Sequence, residues 1–103
     1  MDFRNIWTSA EQVPSLHFPM EHGEVLYELA SGVSGVCVEI GSWAGRSSAI
    51  LGNALKQTGG KLYCIDHWNK IQEAVVDTSV DIWTFWNHVI EKFGLKDTVF
   101  PIR

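Results

Sequence analysis

The spacing of apolar residues predicts helices that alternate with strands from residue 21 to the end of the chain. Three segments have apolar residues at helical spacing, and three short segments are apolar almost throughout. The helical sets are Val25, Leu26, Leu29 and Ala30; Ile50, Leu51, Ala54 and Leu55; and Val80, Trp83, Trp86, Ile90 and Phe93. The predicted strands are 36–40, 61–66 and 98–102.

The predicted strands show almost no alternation of apolar and polar residues, which is typical of a parallel sheet with helices on both faces. Right-handed crossovers then place consecutive strands side by side in chain order. The predicted fold class is therefore α/β: a three-layer α/β/α Rossmann-like fold, here truncated to about three parallel strands with flanking helices. Residues 1–20 contain Pro14 and Pro19 without a sustained period, so we expect an irregular N-terminal arm with at most a short turn of helix. Residues 67–79 are polar and mixed, and predict a loop or a broken helix.

Composition and charge restrict the classes of partner. The chain of 103 residues carries 8 Lys and Arg, placed singly, against 12 Asp and Glu, so it offers no basic cluster and we expect no nucleic-acid partner. The sequence has no apolar run long enough for a membrane span or a signal peptide, and we expect a cytoplasmic protein without membrane contact. Cys37 and Cys64 lie in apolar runs and are predicted to be reduced core thiols, and the histidines show no metal-ligand spacing.

Two neighbouring strand ends carry the residue types of a nucleoside site. Gly41 and Gly45 follow the first strand, where ligands bind in such sheets, and the helix after them directs its free N–H groups at this loop. Asp66 ends the next strand, about 25 residues beyond Gly41, which is near the spacing at which an acid binds ribose hydroxyls. The pattern therefore predicts a ligand that contains a ribose.

The acid that precedes the glycines restricts the class of ligand further. Dinucleotide fingerprints have a second glycine on which a pyrophosphate rests, and Trp43 occupies that position here. The carboxylate of Glu39 would repel a pyrophosphate but suits a ligand with an ammonium group. S-adenosylmethionine has an ammonium group and a ribose and lacks phosphate.

The motif also resembles a known family. Residues 39–47, EIGSWAGRS, followed by 65–68, IDHW, resemble the first two motifs of class I S-adenosylmethionine-dependent methyltransferases. The most similar group is the small-molecule and sugar O-methyltransferase-like one that reads E-I-G-S-x-x-G-R-S. The segments 85–87 and 95–99 resemble the third helix and third strand of that group, so the resemblance covers 21–103, which would be the N-terminal half of such a domain.

The resemblance implies a cofactor and a role for each motif residue. The cofactor would be S-adenosylmethionine, and the substrate a small-molecule methyl acceptor. The implied contacts are Glu39 with the methionine amino end; Gly41, Ser42 and Gly45 as the backbone cradle; Asp66 with the ribose; and His67 or Trp68 against the adenine. Trp43 either covers the cofactor or packs on the next helix, and Arg46 either binds a carboxylate or forms an ion pair that holds the loop.

Family members continue beyond the third strand, so we expect this chain to hold the cofactor half and not to turn over alone, and the catalytic base stays unassigned. In the family, a fourth strand pairs with the 36–40 strand. Without it that strand is an exposed edge, which predicts a homodimer, and the rival is that residues 1–18 cover the edge. Two other functions stay open: a non-catalytic nucleoside-binding or self-associating module, and an NAD-dependent oxidoreductase fragment, which Trp43 disfavours.

Overall fold

Four helices and three strands form the described part of the protein. The computed structural model describes residues 2–15, 18–69 and 81–103. The elements in chain order are α1 Phe3–Ala10, α2 Met20–Ser31, β1 Val36–Ile40, α3 Arg46–Thr58, β2 Lys61–Ile65, α4 Ile82–Lys92 and β3 Val99–Ile102. Most of the predicted loop at 67–79, and Val80 at the predicted start of the third helix, lie outside the described residues.

The three strands form one parallel sheet in the order β1-β2-β3. Val36 lies opposite Lys61 and Ile40 opposite Ile65, so β1 and β2 end at the same level of the sheet. This confirms the predicted strand order and the α/β Rossmann-like class. Gly45 and Gly59 bracket α3 with φ of 109° and 77°, a backbone conformation that glycine adopts readily.

The hydrophobic core lies on one face of this sheet. Leu62, Cys64 and Val99 are almost fully buried there, under side chains of α3 and α4. On the opposite face Val36 and Ile40 are 63% and 83% exposed. The described helices therefore cover one face of the sheet, and the expected second helical layer is not formed by the described residues.

The N-terminal arm differs from the sequence prediction. Residues 3–10 form α1, and Phe3, Ile6 and Ala10 pack with Ile50 of α3 in a small apolar cluster. The helix begins at Asp2, whose carboxylate accepts a hydrogen bond from the N–H of Arg4 at 3.3 Å. The expectation of an irregular arm over 1–20 is therefore wrong for residues 3–10, because three apolar positions at helical spacing follow an N-cap acid.

The buried face of α2 also differs from the prediction. Val25 and Leu29 belong to the apolar helical set that the sequence places on one face, but they are 55% and 67% exposed. Gly23 and Ala30 are buried instead, and a Cβ at Gly23 would lie 3.0 Å from Ile50 Cδ1. Because a glycine allows this close approach to α3, the helix is rotated towards its small residues. Within the described ranges, no helix is long and apolar enough to cross a bilayer.

Two identical substitutions test this assignment of core and surface. We expect Leu55→Ala to lower the free energy of unfolding by about 2–5 kcal/mol, because Leu55 is 0% exposed and its removal leaves a cavity. The matched control Leu29→Ala should change it by no more than about 0.5 kcal/mol. Urea denaturation followed by circular dichroism measures both values. Equal losses of unfolding free energy would contradict the exposure of Leu29 on α2.

Candidate functional site

The loops that follow β1 and β2 meet at the carboxylate of Asp66. Its Oδ2 accepts a hydrogen bond from the N–H of Trp43 at 3.0 Å, and its Oδ1 accepts one from the N–H of Trp68 at 2.8 Å. The N–H of Gly41 also donates to the carbonyl of Ile65 at 2.8 Å. These contacts hold the two strand ends together, where the sequence predicts the ligand.

The backbone of the first loop takes unusual conformations. Gly41 has φ of 84°, and Trp43 has φ of 46°, which is uncommon for a residue with a side chain. A Cβ at Gly41 would have no described atom within 4 Å, so this part of the loop borders open space. A ligand could therefore approach the main chain closely at Gly41.

Glu39 is held by the first turn of α3. Its two carboxylate oxygens accept hydrogen bonds from the hydroxyls of Ser47 and Ser48, the latter at 2.6 Å. The Ser48 hydroxyl in turn accepts from the indole Nε1 of Trp86 at 3.0 Å. Each carboxylate oxygen can accept a further hydrogen bond, so Glu39 keeps capacity for a cationic ligand while its position is fixed.

The thiol of Cys64 lies at the buried end of this network. Its Sγ is 3.6 Å from Ser48 Oγ. Burial, and after it the charge of Glu39, raise the pKa of Cys64 to about 12. The hydroxyl of Ser42 has a small opposing effect on the pKa of this thiol. Ser42 is itself buried, and its hydroxyl has no partner with hydrogen-bond geometry among the described residues.

Two cavities both have Ile40 and Gly41 in their lining. The first has a volume of about 440 Å³ and lies at the strand ends; its lining includes Asp66 and His67. The second has a volume of about 340 Å³ and lies between the glycine loop and the N-terminal segment; its lining includes Glu39. Both cavities share Ile40 and Gly41, so one elongated ligand could occupy both.

Most of the predicted site residues lie around these two cavities. The smaller cavity is lined by Glu39, Gly41, Ser42, Trp43 and Gly45, and the larger by Gly41, Asp66 and His67. That these residues contact a ligand stays a prediction.

Trp68 is the exception. Its side chain is only 1% exposed, and its ring packs 4.9 Å from that of Trp86, measured between ring centroids. The indole Nε1 donates to the carbonyl of Trp43 at 3.0 Å. The expectation that Trp68 lies against an adenine is therefore wrong, because its ring belongs to the core. His67, whose side chain is 60% exposed, is accessible from the cavity.

The sequence interpretation missed the contribution of the N-terminal segment to the smaller cavity. Pro14, Ser15 and Phe18 line it together with residues of the glycine loop. Arg46 holds this segment through main-chain carbonyls, whereas the sequence suggested a carboxylate partner or an ion pair. The pKa of Arg46 is lowered by partial burial, which outweighs the opposite effect of the nearby charge of Glu11. Main-chain carbonyls are present whatever the side chains of the segment are. The sequence pattern therefore does not predict these hydrogen bonds.

The fold and the position of the site define a Rossmann-like α/β domain with a candidate nucleoside site at the carboxyl ends of β1 and β2. A family model described as "Methyltransferase domain" matches residues 38–102, which is more than half of the chain. The chain therefore belongs to the methyltransferase-domain family.

Solved structures share this fold at low sequence identity. A cofactor-bound protein from MTB, Rv0187, superposes with a TM-score of 0.64 at 16% identity, over 97% of this chain and 42% of its own. A candidate O-methyltransferase from Klebsiella pneumoniae gives a TM-score of 0.63 at 14% identity, over 96% and 41%. The SAH-bound methyltransferase PaMTH1 from Podospora anserina gives 0.65 at 14% identity, over 96% and 39%. The chain thus spans about two-fifths of the length of these proteins.

The environment of the two cysteines leads to a test of the buried network. We expect Cys64 not to react with iodoacetamide at pH 8, because its thiol is 0% exposed and its raised pKa keeps it protonated. Cys37 is partly exposed and should react faster. Mass spectrometry of native and urea-unfolded protein counts the modified thiols, with Cys37→Ser as the control that should leave the native protein unmodified. Rapid modification of Cys64 in the native Cys37→Ser protein would contradict the burial of this network.

Proposed function

We propose that the chain is the cofactor-binding part of an S-adenosylmethionine-dependent methyltransferase. The observation that carries the proposal is the pair of cavities that meet at Ile40–Gly41, one beside Asp66 and the other beside Glu39. Membership of the methyltransferase-domain family supports it, as do the cofactor-bound and SAH-bound states of two structures with this fold.

The residues present fit such a ligand. The larger cavity has the size and the apolar strand-end residues, Ile65 and Ile102, that suit an adenosine. In the smaller cavity, the carboxylate of Glu39 suits the ammonium of the amino-acid end, and the buried hydroxyl of Ser42 offers an unused donor and acceptor. Gly41 lies between the two, where the absence of a side chain lets the middle of the ligand pass close to the backbone.

An NAD-type ligand fits less well. The pyrophosphate of a dinucleotide would lie beside the Glu39 carboxylate, where like charges repel. Trp43 is present where the dinucleotide fingerprint has its second glycine, and its N–H already donates to Asp66.

When bound, S-adenosylmethionine supplies an electrophilic methyl group. We propose a small molecule or a sugar as acceptor, reacting through an oxygen nucleophile. The contribution of the described residues is to hold and orient the methyl donor: Asp66 fixes the loops, Glu39 binds the cation, and α3 directs its first N–H groups at the cavity. No described residue is assigned as the catalytic base.

We further propose that the protein is a cytoplasmic homodimer. The free thiols of Cys37 and Cys64 are compatible with a reducing compartment. Val36, Val38 and Ile40 of β1 are exposed, and among the described residues no strand pairs with the outer edge of β1. A two-fold axis that places two β1 strands antiparallel would pair both edges at once.

Ligand titration tests the proposed cofactor. We expect calorimetry to show weak binding of S-adenosylmethionine or S-adenosylhomocysteine, because the cavities are open, and no binding of NAD. Asp66→Ala should lower the affinity by at least about tenfold, since it removes a charged hydrogen-bond acceptor and releases the loops. The matched control is Asp97→Ala, at an exposed position away from the cavities, which should bind like the unmodified chain.

The conservative variant Asp66→Asn separates binding from folding. It keeps the shape of the side chain and one acceptor oxygen, so the protein should fold while its affinity still falls. Binding of NAD as tightly as S-adenosylhomocysteine, or unchanged affinity in both Asp66 variants, would refute the proposed site.

Light scattering tests self-association. We expect the chain to be a dimer at micromolar concentration, and Val38→Pro to shift it towards monomer, because proline removes an N–H from β1 and is tolerated only at edges without partners. The rival in which residues 1–18 cover the edge is not supported by α1, which packs on α2 and α3. A stable monomer of the unmodified chain would exclude the dimer.

A further inference from the structure

Arg46 makes an unusual set of contacts at the start of α3. Its guanidinium donates three hydrogen bonds to three main-chain carbonyls of the N-terminal segment. The contacts are Nε with the carbonyl of Val13 at 2.8 Å, Nη1 with that of Phe18 at 3.0 Å and Nη2 with that of Glu11 at 2.9 Å. One side chain of α3 therefore binds main-chain carbonyls that precede Pro14 and follow Ser15 in the sequence.

Aromatic rings support the same arrangement from the other side. The guanidinium carbon of Arg46 lies 5.5 Å from the ring centroid of Trp7. The Trp7 ring stacks on that of Phe18, with 6.4 Å between the centroids and 18° between the planes. Arg46 thus contacts both α1 and the segment that it holds.

The residues held by Arg46 form a wall of the smaller cavity. Pro14, Ser15 and Phe18 line this cavity together with Glu39 and Arg46 itself. The larger cavity, beside Asp66, has no residue of the N-terminal segment among its described lining. The position of the segment therefore affects one end of the site and not the other.

We propose that Arg46 is a positioning residue that holds the N-terminal segment as the wall around the amino-acid end of the cofactor. This inference rests on the proposed function. Pro14, Ser15 and Phe18 line the same cavity as Glu39, so the loss of this wall would expose the surroundings of the Glu39 carboxylate to more water. Water weakens the attraction between this carboxylate and a ligand ammonium, because the local dielectric constant rises.

The planar shape of the guanidinium is essential to this role. Three donors of fixed geometry reach three separate carbonyls at once, which the single ammonium of lysine does not do. Arg46→Lys therefore keeps the charge but loses most of the hold on the segment. Affinity should fall only for ligands that place an amino-acid group in the smaller cavity.

Two ligands that differ only at the amino-acid end test the proposal. S-adenosylhomocysteine carries the amino-acid group, whereas 5′-methylthioadenosine has the same adenosine and sulfur and ends in a methyl group. In calorimetric titrations, we expect Arg46→Lys to weaken the binding of S-adenosylhomocysteine about tenfold and that of 5′-methylthioadenosine less than about twofold. Arg4→Lys makes the same change at an exposed position of α1 and should leave both affinities unchanged.

The ratio of the two affinities separates positioning from general destabilisation, because partial unfolding would weaken both ligands together. An equal loss for both ligands, or no loss for either, would overturn the role of Arg46 while leaving the proposed function intact. If the unmodified chain binds neither ligand, both proposals fail. If Arg46→Lys does not fold, Phe18→Ala removes a wall residue directly, and an unchanged affinity ratio in that variant would equally overturn the proposal.

Discussion

The carboxylate of Asp66 is the contact on which the candidate site depends. It accepts one hydrogen bond from the loop after β1 and one from the loop after β2, at 3.0 Å and 2.8 Å. Trp43 and Trp68, the two donors, both have positive φ, which costs of order 1 kcal/mol or more for a residue with a side chain. Hydrogen bonds to a charged acceptor contribute about 1.5–3 kcal/mol each and can offset this strain. One side chain at a strand end therefore fixes the relative position of the two loops that border the cavities.

A second network connects the sheet to the helices beneath it. Glu39 on β1 accepts from Ser47 and Ser48 on α3, and Ser48 accepts from Trp86 on α4. Two of these bonds join β1 to α3 and the third joins α3 to α4, so a shift of either helix over the sheet would break at least one of them. The acid that lines the smaller cavity is thus a structural residue, and the remaining lone pairs of its carboxylate stay available to the ligand proposed above.

The sequence predicts the fold well where apolar spacing and glycine positions decide it. The strands follow from short apolar runs, α3 follows from apolar residues at helical spacing between Gly45 and Gly59, and Gly41 and Asp66 come directly after β1 and β2 as the pattern requires. The prediction fails where packing depends on contacts with other elements. α2 rotates because Gly23 lets it approach Ile50, which the period of its own larger residues does not indicate.

The same limit applies to the site. The residues that line the cavities through local motifs were predictable, whereas the environment of Trp68 depends on rings of α4 distant in the chain. The wall formed by Pro14 and Ser15 depends on hydrogen bonds that Arg46 donates to main-chain carbonyls. Such carbonyls are available in any sequence. A sequence pattern can predict contacts made by side chains, but every residue type has a main-chain carbonyl, so contacts to carbonyls leave no pattern in the sequence.

The outer edge of β1, with which no described strand pairs, has a consequence for the tendency of the protein to aggregate. The segment Val36–Ile40 is rich in β-branched residues, and its one charged side chain, Glu39, is turned towards α3. The segment therefore lacks the outward charge that commonly protects an edge strand against templated growth of cross-β aggregates. An edge strand of this composition favours the addition of a second extended segment, so its protection depends on what pairs with it.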